Sequence, residues 1–111
     1  MNALLSTASA TAGFGAPYPN ATFISAVGHE RCYTRYSLIT RDPEDEVEAF
    51  YEAEGKSAHA TMTTSRNPAI PDFRPLSFVH KPELMMFVML DRNDGKTTVN
   101  VRYRTAAKPS C

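Results

Sequence analysis

Near the C-terminus Val99, Val101 and Tyr103 alternate with Thr98, Asn100 and Arg102. A period of two is that of a strand with one face buried and the other wet. The run before it, Leu84-Met85-Met86-Phe87-Val88-Met89-Leu90, does not alternate and presents apolar side chains to both sides. Asn93-Asp94-Gly95 separates the two, and Asp and Gly tolerate the positive φ of tight turns, so the pattern predicts a hairpin. Upstream, Cys32–Thr40 reads as a strand built on Tyr33, Tyr36, Leu38 and Ile39. The period then changes: Val47, Phe50 and Tyr51 recur at i, i+3 and i+4 and make one helical stripe. Asp42 is the expected N-cap and Pro43 the first helical residue, with Glu44, Asp45 and Glu46 at the positive end of the dipole. Gly55 and Lys56 suit the C-terminal end. His59–Ser65 reads as a polar edge strand, Asn67–Pro71 as a breaker-rich loop, and Leu76–Val79 as a short strand ended by Lys81-Pro82.

These elements predict an α+β domain: one helix packed on a mainly antiparallel sheet, in β-α-β-β-β order, behind an extended N-terminal arm. Residues 1–28 form the arm, 29–105 the single domain and 106–111 a tail. The arm carries no charged residue and no persistent apolar period. One helix cannot cover both sides of a strand such as Leu84–Leu90. Met85, Phe87 and Met89 are therefore the expected contact residues for a second cover, with Phe14 and Tyr18 contributed by the arm. That cover is the arm itself, a copy of the chain, or a partner. Deletion of Met1 to Pro19 is expected to leave a folded domain and to abolish assembly with the partner or with itself.

Composition narrows the partner. The chain has 111 residues, enough for one domain with its own core. Twelve Lys and Arg balance twelve Asp and Glu, which gives no reason to expect nucleic acid or an anionic membrane. The charges are segregated, however: seven acids lie between Asp42 and Glu54, while Arg92, Lys96, Arg102, Arg104 and Lys108 load the C-terminal region. The longest apolar run falls far short of the roughly 20 residues of a membrane span, so no transmembrane segment is expected. The N-terminus lacks the basic region of a signal peptide as written, and compartment stays open. Asn20-Ala21-Thr22 fits the N-glycosylation pattern, which matters only in a eukaryotic secreted protein. Cys32 and Cys111 can pair with each other or stay reduced.

Candidate chemistry is sparse. His29, His59 and His80 provide one His-x-x-Cys pair, at His29 and Cys32, and no second close pair to complete a zinc shell. Glu48 and Glu52 belong to the wet face of a helix, where nothing predicts the burial that tunes an acid. Cys32, at a strand entry, reads as packing rather than as a nucleophile. No phosphate-binding glycine loop or serine elbow is present. No catalytic residue, metal site or cofactor is assigned. The expected role is a non-catalytic accessory or structural subunit that binds other protein subunits or itself. The rival class is a small-ligand or metal-binding domain, possibly an enzyme, using Tyr33, His29 and Cys32.

The run Tyr36-Ser37-Leu38-Ile39-Thr40-Arg41-Asp42-Pro43-Glu44-Asp45-Glu46-Val47-Glu48-Ala49-Phe50-Tyr51 resembles a segment of small, mostly uncharacterised bacterial envelope proteins. In these a strand ending in Thr-x-Asp leads into a Pro-Glu helix that carries Val and Phe-Tyr, and further strands follow. The resemblance implies an envelope or periplasmic location and the later order of elements. It implies no activity.

Overall fold

The hairpin forms where its turn chemistry predicts. Asn93 pairs with Lys96, and the two residues between them, Asp94 and Gly95, both take positive φ, at 54° and 71°. That is the turn whose twist matches the flanking strands. In the computed structural model, which describes residues 13–80 and 83–105, these strands are β6 (Leu84–Asn93) and β7 (Lys96–Arg104). The others are β1 (Thr22–Phe23), β2 (Gly28–Glu30), β3 (Tyr33–Thr40), β4 (Thr61–Thr64) and β5 (Phe73–His80). The helix α1 spans Glu44–Ser57.

All strand pairs are antiparallel, in the order β1-β3-β7-β6-β5-β4, and β2 also pairs with β3. Four antiparallel steps separate β3 from β4, so the two run in the same direction at opposite ends of the main sheet. The chain leaves β3 through α1, crosses the sheet to the far edge, and returns as the meander β4-β5-β6-β7 until β7 closes against β3. The fold is therefore α+β, with one helix on an antiparallel sheet, as the pattern predicts. Among the described residues, however, three strands precede the helix and four follow it, in place of the expected β-α-β-β-β order. The arm supplies β1, and β2 at its junction with the domain also lies along the free edge of β3; β5 begins at Phe73 rather than Leu76. Pro75 is tolerated inside β5 because its backbone turns toward β4, whose paired register ends at Thr64; only Ser65 N–H still reaches the Pro75 carbonyl, at 3.4 Å.

The core lies between α1 and the sheet. Val47 and Tyr51 enter it from α1, Tyr36 and Leu38 from β3, and Leu76 and Phe78 from β5. Met86, Val88 and Leu90 come from β6, and Val99 and Val101 from β7. Gly55 sits inside the helix rather than at its end, because a Cβ there would lie 2.6 Å from the Phe78 ring.

The helix start departs from expectation. Pro43 occupies the cap position with extended backbone and no side-chain cap, and Glu44 is the first helical residue. The Asp42 carboxylate is committed elsewhere, accepting hydrogen bonds from Tyr18 Oη and, at 2.9 Å, from Asn20 Nδ2. The three first-turn acids still complement the dipole. Two of them, Asp45 and Glu44, join Glu48 around the Arg74 guanidinium of β5 at 2.5, 3.4 and 3.2 Å.

The described part of the arm is docked rather than free. Phe14, Tyr18 and Ala21 pack against the core cluster, and Asn20 C=O accepts a bond from Thr40 Oγ1 at 2.6 Å. The arm residues before Gly13, the Lys81-Pro82 stop and the tail after Thr105 lie outside the described residues.

Candidate protein-interaction face

Residues that alternate with the core positions form the outer face of the sheet. Met85, Phe87 and Met89 stand in a line along β6, between the buried Met86, Val88 and Leu90. The register extends this line sideways: Phe87 faces Ser77 on β5 and Arg102 on β7, Met89 faces Pro75 and Asn100, and Met85 faces Val79 and Arg104. Met85 and Phe87 are half-buried by their neighbours in the sheet, while Met89 keeps 45% of its surface exposed. A shallow, largely apolar cleft of about 230 Å³ opens there, floored by Pro75, Phe87 and Met89 and rimmed by Thr63 and Ser65 of the β4 edge. The helix lies on the other side of the sheet, and no helix among the described residues covers this one.

The β3–β7 side of the face is basic. Arg35 stands directly opposite Arg102 in register, a like-charge pairing that costs stability unless something negative lies near. The Arg102 guanidinium rests over the Tyr33 ring, 4.1 Å from its centroid, and Arg104 is 5.6 Å from the same centroid. Tyr33 Oη donates to Met85 Sδ at 3.8 Å, which joins the basic side to the methionine line.

Of the five residues singled out in the sequence, Met85, Phe87 and Met89 thus share one open face. Phe14 and Tyr18 lie on the helix side, against the chain's own core, where Tyr18 meets Phe50 edge-on at 5.4 Å. The rival trio does come together: His29, Cys32 and Tyr33 line a second cleft of about 230 Å³. Its chemistry is curtailed, because Cys32 is disulfide-bonded and offers no thiolate. The chain's other cysteine, Cys111, lies outside the described residues. His29 Nδ1 is 3.2 Å from Thr34 Oγ1, and no group of three or more His, Cys, Asp or Glu side chains positioned to hold a metal occurs among the described residues. Likewise, no helix among them is long and apolar enough to cross a membrane.

Sequence reasoning passed over a buried polar cluster beneath the arm. Glu54, only 5% exposed, accepts a bond from Gly15 N–H at 3.1 Å. Tyr36 Oη donates to Gly15 C=O at 2.8 Å, Tyr18 N–H donates to Tyr51 Oη at 3.1 Å, and the two phenol oxygens are 3.0 Å apart. Burial pushes the Glu54 carboxyl up to about 8, offset in part by the Gly15 amide. Burial also raises both phenols, Tyr51 to about 12. In the sequence Glu54 is one more acid on an acidic helix; the available signal was its i+3 spacing from Tyr51, which puts it near the apolar stripe.

Comparison with family models, curated proteins and solved structures finds no match to this chain.

Proposed function

We propose that the protein is a non-catalytic subunit that binds another protein through the outer face of its sheet. One observation carries the reading: from Leu84 to Leu90 β6 is apolar on its buried side and again apolar, at Met85, Phe87 and Met89, on a side that no helix among the described residues covers. Isolated exposed apolar residues are normal, whereas a continuous line with a cleft beside it is the signature of a contact surface. Methionine suits that task, because its unbranched side chain adapts to an irregular partner. The paired arginines at the edge favour a partner that brings carboxylates to the rim of an apolar contact.

The test is the native mass of the full chain in its source, by size exclusion with light scattering, for wild type and Met89→Asp. Met89 is the most exposed of the three, so the substitution leaves the core intact. Wild type is expected in an assembly that the aspartate dissolves while the thermal melt of the purified chain is unchanged. A wild-type monomer, or an assembly indifferent to the aspartate, overturns the reading.

A further inference from the structure

We infer that residues 15–18 are a proton-sensitive strap, docked over the corner of α1, β3 and β7 while the Glu54 carboxyl carries a proton and released as it ionises. Backbone groups of the strap make its bonds to Glu54, Tyr36 and Tyr51, while the Tyr18 side chain anchors it separately through Asp42 and Phe50. Gly15 N–H and C=O bind Glu54 and Tyr36, and Tyr18 N–H binds Tyr51. Gly15 lies so close to the Tyr103 ring that a Cβ would come within 2.4 Å of it, and its φ of 89° is one that glycine adopts freely.

The donors at this corner are all spent. Tyr36 Oη gives its proton to Gly15 C=O, and Tyr51 Oη, which accepts from Tyr18 N–H, gives its own to Tyr36 Oη. Neither phenol has a proton left for Glu54, and Glu54 Oε2 is buried with no partner. Oε2 finds no partner in either form, and a neutral carboxyl costs far less there than a carboxylate, whose charge would be buried without a donor. The titratable groups facing Glu54 are Tyr51 on its own helix, Tyr36 from β3 and, beyond Tyr36, Tyr103 from β7; the strap contributes no charge.

The sign follows from linkage. With the strap docked, burial pushes the carboxyl up to about 8 against the lowering pull of the Gly15 amide; release opens it to water and moves it back toward the ordinary 4.5. Between those values the docked state holds one more proton, so docking is strongest below about pH 4.5 and weakens as pH rises. Release grows about tenfold per pH unit until about pH 8, then levels off. Release bares Tyr36 and Tyr51 at the open corner of the core.

Hydrogen exchange at the Gly15 and Tyr18 amides of the full chain, corrected for the intrinsic base-catalysed rate, reads this directly. From pH 5.5 to 8 the wild-type protection factors are expected to fall about tenfold per unit. Those of Glu54→Gln, which keeps the acceptor oxygen and cannot ionise, are expected to stay level. Should that variant fail to fold, the ¹³C titration of Glu54 in wild type decides: a midpoint near 8 that drops toward 4.5 in Gly15→Ala supports the strap. Flat wild-type protection, the same slope in Glu54→Gln, or an ordinary midpoint in the wild-type protein overturns it.

Discussion

Asp42 shows how one residue type can satisfy two different roles with the same sequence signal. Asp-Pro-Glu before an apolar stripe marks a helix start whether the aspartate caps the helix or only precedes it. Here its carboxylate binds Tyr18 and Asn20, residues 24 and 22 positions earlier, and those bonds hold it below the usual carboxylate range. Its carbonyl accepts bonds from Arg92 Nη1 and Thr97 Oγ1, at 2.9 and 2.7 Å, and so ties the loop to β6 and β7. Nothing local in the sequence specifies partners at such separations. Asp42→Ala is therefore expected to loosen the arm rather than unwind the helix. Asp42→Ala and Tyr18→Phe should each lower the melting temperature, and the double variant should be no worse than the more damaging single one, because both remove the same bond. Additive losses, or a selective loss of helical signal in circular dichroism, would show that Asp42 acts at the helix after all.

At the scale of elements, those written in local pattern were legible. The hairpin, the helix and β3 each follow from period and turn chemistry within a dozen residues. β1 and β2 were not, because strands of two and three residues exist only by pairing with β3, and such pairing leaves no period behind. The helix end was read one turn early for a related reason. Gly55 resembles a terminator, yet it is demanded by the Phe78 ring, and the left-handed position falls to His59 at φ 59°. Ala60 N–H reaches Gly55 C=O at 2.8 Å and His59 N–H reaches Lys56 C=O at 3.0 Å, the paired bonds of a Schellman end. A β-carbon in that conformation costs about 1 kcal/mol, which glycine avoids. His59→Gly is thus expected to stabilise the protein by about 1 kcal/mol in a denaturant melt. Among the described residues the further bond of His59 is made by its carbonyl, with His80 Nδ1, and glycine retains it. A destabilised variant would mean that the imidazole itself makes a contact worth more than the strain.

At the scale of the whole molecule, residues on opposite faces of β6 separate what the fold needs from what binding needs. Met86 is fully buried beneath α1, and Met89, three positions along, faces the open side. Truncating a buried methionine removes its transfer free energy and leaves a cavity, which together cost about 2–5 kcal/mol. Truncating a side chain already in water removes little, so surface changes usually stay within about 0.5 kcal/mol. Met86→Ala is accordingly expected to lower the stability of the isolated chain by about 2–5 kcal/mol. Met89→Ala should leave stability within about 0.5 kcal/mol of wild type and act only on assembly. The sequence announced that β6 has two apolar faces and set Met85, Phe87 and Met89 apart for a cover other than the helix; residue type alone does not separate the faces, because Met86 and Met89 are both methionine. Urea melts of both variants, beside their native masses, make the separation measurable. If Met89→Ala proves as destabilising as Met86→Ala, the outer face is covered by the chain itself, and the contact surface must be sought elsewhere on the molecule.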